Sequence, residues 1–299
     1  MKVKTGFKEE NMLQTLNKYL IGFTLVLFII SLKPGALTAG NPWDEMEFWQ
    51  PLHAKVSYTT PYGVGRNVGY TSLAAYYCPE FVDDCFSPYV DVRLHYLNNH
   101  RWAGNFGFGF QKPLLVSSTN TLLRGYVFYD FRNSSFRLHE QICAGAEWFG
   151  PSYDVRLNTY FPIFQKGHAH YGRTHHFEGG FRTYKVRNEY AWRGFDLEFS
   201  KYLTLCDKYC FYASAGPYFF HGRSHNTFGG KIRLESEIYN GVMLALQGSY
   251  DHHFGGRAFA QVSWAFPLTF DFSGRSCCFP VQREELIVLS RHCHWHKNY

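Results

Sequence analysis

The chain has 299 residues, a formal net charge of +6 and aromatic residues at 19%. That charge is modest and spread along the chain, which argues against nucleic-acid binding. Beyond the N-terminus, no apolar run approaches the roughly 20 residues that a membrane-crossing helix needs.

In chain order, the basic residues Lys2, Lys4, Lys8 and Lys18 precede an apolar run over 21–32 and then Leu37, Thr38 and Ala39. This is the order of a secretory signal peptide, predicted over 1–39, with Met12 as an alternative start and 40–57 as a lead-in. Strand-length segments with alternating character follow over 64–77, 88–97, 102–111, 121–131, 136–148, 152–162, 177–188, 190–202, 208–220, 228–239, 242–253 and 257–270. Tight-turn chemistry lies between several of them, as at Asn98-Asn99, Asn240-Gly241 and Gly255-Gly256.

The segments from 121 to 162 are the most telling. Leu123, Gly125, Val127, Tyr129 and Phe131 alternate with Arg124, Tyr126, Phe128 and Asp130. Val155, Leu157, Thr159 and Phe161 alternate with Asp154, Arg156, Asn158 and Tyr160. Successive strand side chains point to opposite faces, so each strand has one apolar and one polar face. Strand length, short turns and the export signal together predict an all-β fold, a transmembrane antiparallel β-barrel of about twelve strands over 58–272. The abundant Phe and Tyr suit its interfacial girdles. Near the midplane, Val155→Arg or Leu157→Arg should cost roughly 2–4 kcal/mol. Asn158→Arg, facing a polar lumen, should be milder.

The lumen faces collect opposite charges, a ladder of Asp91, Arg93, Arg124, Asp130, Arg137, Glu147, Asp154, Arg156, Asp196, Glu198, Lys231, Arg233, Glu235 and Glu237. The tail, 273–299, contains a strand-capable stretch over 280–289 with Arg283, Glu284 and Glu285. It either enters the lumen as a plug, pairing with charges such as Arg233 or Asp196, or hangs in solvent as a partner-binding strand.

Of 8 Cys, Cys78 and Cys85 bracket one predicted loop, and Cys206 and Cys210 bracket another. These are local candidates for disulfides in an oxidising compartment, with cross-links to other envelope proteins as the rival. His292, Cys293, His294 and His296 carry ligand chemistry for a soft metal, against a solvated tail as the plain reading. His168, His170, His175 and His176 pose the same choice. Asp83-Asp84 and Asp251-His252 fall near one end of the predicted barrel and could activate a water, although a structural salt bridge is the simpler role for Asp251. Ser224-His225-Asn226 are adjacent in a loop, a poor arrangement for convergence on one substrate.

Several longer motifs occur together: VGYTSLAAYY, DVRLHYLNNHRWAGNFGFGF, GYVFYDFRNSSFRLHEQICAGAEWFGPSYDVRLNTYFP, EYAWRGFDLEF, YASAGPYFF, GSYDHHF and PVQREELIVL. In this order they resemble the β-domain of inverse autotransporters, the intimin and invasin barrel family, from about Tyr58 to Leu289. The block 125–162 is the most specific part. The resemblance implies a twelve-stranded outer-membrane barrel whose C-terminal side leads to an exported segment, with 280–289 like the linker that runs through the pore. The chain departs from the full pattern in showing no peptidoglycan-binding module before the barrel and no immunoglobulin-like passenger after it.

The expected function is non-enzymatic: a surface, structural or host-contact barrel in the bacterial outer membrane, with a short tail in place of a passenger. No cofactor is expected. The expected partners are outer-membrane lipid, the barrel-assembly machinery, other envelope proteins and a host surface ligand, but no nucleic acid. A small-solute pore and an omptin-like protease are the rival readings.

Overall fold

The computed structural model describes residues 52–78, 86–116, 119–134, 137–150, 152–163, 169–171, 176–178, 181–205, 209–223, 225–239, 242–267 and 281–298. The predicted signal peptide lies outside them. The strands are β1 (Leu52–Thr59), β2 (Tyr70–Tyr77), β3 (Ser87–Leu97), β4 (Arg101–Val116), β5 (Thr119–Asn133), β6 (Leu138–Phe149), β7 (Asp154–Ile163), β8 (Ala169–Tyr171), β9 (His176–Glu178), β10 (Phe181–Ala191), β11 (Arg193–Leu205), β12 (Tyr209–His221), β13 (Asn226–Tyr239), β14 (Val242–Asp251), β15 (Gly255–Pro267) and β16 (Leu289–Asn298).

Twelve of them close an antiparallel barrel in the order β1-β15-β14-β13-β12-β11-β7-β6-β5-β4-β3-β2, with β1 also paired to β2. Closure leaves no open sheet edge, so backbone N–H and C=O groups pair within the wall, as a lipid environment requires. The other strands make a separate sheet of order β16-β10-β8, with β9 on β10.

Three strand assignments differ from expectation. β1 belongs to the wall although it begins inside the expected lead-in; His53, Lys55, Ser57 and Thr59 alternate there with Ala54, Val56 and Tyr58. Conversely, the predicted strand over 177–188 forms β9 and much of β10, outside the wall, because β7 pairs directly with β11. Alternation assigns faces to a strand but does not choose its neighbour, so a loop that forms its own sheet reads like a wall strand. The predicted strand over 64–77 is likewise shorter, since 60–69 is a connection.

The outer face is apolar over the middle of the wall. Phe106 is 56% exposed, Val127 53%, Phe199 50% and Ile232 63%. Aromatic side chains gather towards the two rims: the rings of Tyr96 and Trp102 lie 4.8 Å apart and tilted at one, and those of Trp148 and Tyr153 lie 5.2 Å apart at the other. The inner face is polar and buried, with Asp91, Arg124, Asp130, Asn158 and Asp196 each at 1% exposure. Apolar outside and charged inside is the arrangement of a transmembrane barrel, whose outer solvent is lipid.

The proximal mouth is where β1 begins and β15 ends. At the distal mouth lie the connection 60–69, the short turn at 98–100 and the residues between β7 and β11 that include the second sheet.

Candidate functional site

The site is the lumen, and the chain itself occupies part of it. Residues 281–288 run from the proximal half to the distal mouth, as their contacts show in order. The guanidinium of Arg93, midway along β3, donates to Val281 O at 2.6 Å. Gln282 donates to Glu235 at 2.8 Å and accepts from Arg156 at 2.7 Å, both towards the proximal end. Arg283 reaches Asp130 with Nη2–Oδ1 at 2.5 Å and Nη1–Oδ2 at 2.8 Å. The Glu284 amide donates to Tyr160 Oη at 3.0 Å. Glu285 accepts from Arg93 at 3.0 Å and from Tyr70 Oη at 2.8 Å, nearer the distal rim. Leu286 packs with Tyr70, Leu97 and Ala103 at that rim. Arg132 donates to Ile287 O at 2.5 Å, and Trp192 N donates to Val288 O at 3.0 Å. From Leu289 the backbone continues as β16, antiparallel to β10 in the register Ala191↔Leu289 to Arg182↔Asn298.

Small wall residues make room for this segment. At Gly107 a Cβ would collide with the Phe128 ring, and that ring in turn lies under the Arg283 guanidinium, 4.1 Å from Cζ to centroid. Gly65 adopts φ +61 where the 60–69 connection meets Val288, so a side chain there would be both strained and obstructed.

Wall charges are paired with each other as well as with the threaded segment. Arg93 clamps Asp91 at 2.9 and 2.6 Å. Arg124 contacts Glu147 at 3.1 Å, Glu147 contacts Arg156 at 2.8 Å, and Arg156 contacts Glu198 at 2.5 Å. Lys231 bridges Asp196 at 2.9 Å and Glu198 at 3.4 Å, and Arg233 pairs with Glu235. A belt of alternating sign therefore runs across β5, β6, β7, β11 and β13. Such buried charges are tolerable because each has an opposite partner and further hydrogen bonds.

Beside this belt runs a hydrogen-bonded relay that ends on the Asp130 carboxylate. Ser72 Oγ lies 2.5 Å from His95 Nδ1, His95 Nε2 lies 2.6 Å from Asn105 Oδ1, and Asn105 Nδ2 donates to Asp130 at 2.8 Å. Since Asn105 spends its amide hydrogens on Asp130 and on Glu285 O, its oxygen accepts from His95. His95 Nε2 therefore carries a hydrogen.

Three ladder positions sit differently from the rest. Arg137 is not on the lumen face: it lies in the β5–β6 turn, where Ser134 N donates to Arg137 O at 2.8 Å and its own Nε donates to Leu138 O. The alternating pattern begins before the strand does, since β6 starts at Leu138. Glu237 keeps the lumen phase of β13 but is exposed at the proximal mouth. Asp154 stands near that mouth and accepts from Tyr212 Oη at 2.6 Å. The expected partners of the threaded segment are also corrected. Arg233 and Asp196 are engaged by Glu235 and Lys231 within the wall, so Arg283 and Glu285 take Asp130 and Arg93 instead.

Cys85 and Cys206 lie outside the described residues, as do Asp83, Asp84 and Ser224. The Cys78 sulfur is buried 2.5 Å from Gln111 Nε2. Cys210 pairs by backbone with Thr204 at the β11–β12 hairpin, and its side chain is outside the described set. So are the side chains of His292, Cys293, His294 and His296 on β16, and of His170 and His176 on β8 and β9. His168 and His175 lie outside the described residues altogether. The Asp251 carboxylate accepts from Tyr218 Oη, from Thr227 at 2.9 Å and from the amides of His253 and Phe254 at 2.8 and 2.6 Å. It thus holds the β14–β15 turn.

Lys55, Arg66 and Tyr70 are lumen residues that the sequence reading passed over. Lys55 was visible in the alternation of residues 53–59; Arg66, in a loop, carries no periodic signal.

A scan against protein-family models finds no match, and a search of curated proteins finds none either. Among solved structures, a chain from work on the in-meso crystallization of membrane proteins is 14% identical, covering 81% of this chain and 99% of its own, with a TM-score of 0.59. The outer membrane protein Omp33 of Acinetobacter baumannii is 10% identical, covering 73% of this chain and 98% of its own, at a TM-score of 0.33. The β-domain of the Bordetella autotransporter BrkA is 8% identical over 73% and 99%, at 0.32. Of these three, the first bears on the fold, and on the fold alone.

Proposed function

We propose that the protein is a non-enzymatic β-barrel of the bacterial outer membrane, of the inverse-autotransporter type, whose C-terminal segment reaches the cell surface through its own pore. The observation that carries this reading is the passage of 281–288 along the lumen to a strand docked at the distal mouth. Orientation follows from connection lengths. The proximal mouth has mostly short hairpin connections and both ends of the wall, as the periplasmic side of such barrels does, while the longest connection within the wall lies distally. Export begins with the signal peptide, insertion uses the barrel-assembly machinery, and the β10–β16 sheet provides the surface for a structural or host contact.

A peptide tag fused after Tyr299 tests the topology. Intact cells should bind antibody to the tag as strongly as cells with permeabilised outer membranes. Labelling that appears only after permeabilisation overturns the proposal.

A second reading, the small-solute pore, draws on the space left beside the threaded segment, a cavity of about 440 Å³. The two readings separate in planar bilayers. For a sealed barrel, the full chain should show no large stable conductance steps. A chain ending at Ser273 should show them while still migrating as a heat-modifiable barrel. Large steps from the full chain would favour the pore, and a silent truncated barrel would sink the idea that 281–288 seals the lumen.

A further inference from the structure

The threaded segment takes its ion pairs from β3 and β5, and the wall formed by β1, β2, β13, β14 and β15 lines most of the 440 Å³ cavity beside it. That volume is within the range of small-molecule sites, about 300–1,000 Å³. The cavity extends from the proximal mouth, at Glu237 and Met243, to a floor at Arg66, Tyr70 and Phe259.

Its electrostatics are uneven. Of the six lining carboxylates, Asp154 and Glu237 stand towards the proximal mouth and Glu284 belongs to the threaded segment, while Glu198, Glu235 and Glu285 are engaged by Arg156 and Lys231, by Arg233, and by Arg93 respectively. Two lining cations have no such partner. Lys55 makes no direct ion pair among the described residues; the carboxylates that act on it at longer range, Glu285 and Glu235, are held by Arg93 and Arg233. Arg66 is 5% exposed, and its guanidinium lies 4.9 Å from the Tyr70 ring centroid and 4.2 Å from that of Phe259, with Nε and Nη1 lacking any hydrogen-bond acceptor. Gln247, 7% exposed on the same wall, has an Nε2 that also lacks an acceptor. Buried donors without acceptors are costly, and a cation left so is costlier still. The donors of Arg66 and Gln247 match an anion with several acceptor oxygens. Around the donors stand Ser57, Gln261 and Ser263, which suit hydroxyl groups.

We propose that this cavity is a binding site for a small carboxylate-bearing polyol, such as a sugar acid, which enters from the proximal mouth. The carboxylate faces Lys55 and Arg66, and the hydroxyls face the Ser and Gln side chains. The site is independent of where β16 resides, so it stands or falls separately from the surface topology.

The probe is D-glucuronate, titrated calorimetrically into the full-length barrel in detergent, with D-glucose as the uncharged control. Glucuronate should bind and glucose should not. Lys55→Gln and Arg66→Gln should each weaken glucuronate binding roughly tenfold or more, the size of a lost charge-assisted hydrogen bond. Ser263→Leu, which removes no charge but fills the cavity, should abolish binding. Heat-modifiability on gels confirms that each variant is a folded barrel. The proposal is overturned if glucuronate does not bind, if glucose binds equally well, or if folded Lys55→Gln and Ser263→Leu variants retain the wild-type affinity.

Discussion

Asp130→Ala is expected to be among the most damaging single substitutions in the lumen, costing about 3–5 kcal/mol. The Arg283 side chain has 0% exposure and its carboxylate partner 1%, so the arginine cannot be rehydrated in place. Its stacking on Phe128 survives the substitution, but a desolvated cation–π contact is worth about 2 kcal/mol and does not offset an orphaned charge. Asn105 and Gln141 also lose their acceptor. Arg283→Leu should cost less, because the Asp130 carboxylate keeps both of those donors. In the double variant Asp130→Ala with Arg283→Leu, no uncompensated charge remains, and exchanging a buried pair for apolar side chains is often near neutral. The two effects should therefore be strongly non-additive. Urea unfolding in detergent, followed by tryptophan fluorescence, measures all three. A double variant as unstable as the sum of the singles would mean that the pair does not couple the threaded segment to the wall.

The same pair marks how far the sequence could be read. Asp130 is identifiable as an inward-facing charge from local alternation, and Arg283 only as a charge on a stretch that could enter the lumen, but they lie 153 residues apart and nothing local joins them. Faces were legible because lipid and a polar lumen impose opposite demands at every second residue. Partners were not, because they depend on which wall the threaded segment leans against. The same limit placed 177–188 in the wall and left 52–59 out of it.

Asn158 shows the other boundary. Its inward direction is read correctly, yet the expectation that Asn158→Arg would be mild assumed an open, wet lumen. Here Asn158 accepts from Tyr126 Oη at 2.6 Å and donates to Asp196 at 3.2 Å, at 1% exposure. A longer side chain has no room, so overpacking adds its own cost, typically 1–3 kcal/mol. A fair contrast between outside and inside needs an inward position that faces the cavity.

Val127 and Ala245 provide that contrast. Val127 is 53% exposed on the outer face, and it pairs with Phe108 and Ala144, each near the middle of its strand. Val127→Arg would place a guanidinium against the hydrocarbon midplane, at a cost of roughly 2–4 kcal/mol. Ala245 points inward on β14 and lines the cavity, where a lysine amine has space and polar neighbours. Ala245→Lys should therefore cost less than half as much as Val127→Arg, although its added cation brings repulsion from Lys55. The measurement is reversible unfolding of each variant in lipid bilayers, with the wild type alongside. In a soluble protein, with water outside and a packed interior, the order would reverse: the arginine would be nearly free and the buried lysine severe. Finding that reversed order would contradict the membrane-spanning assignment itself.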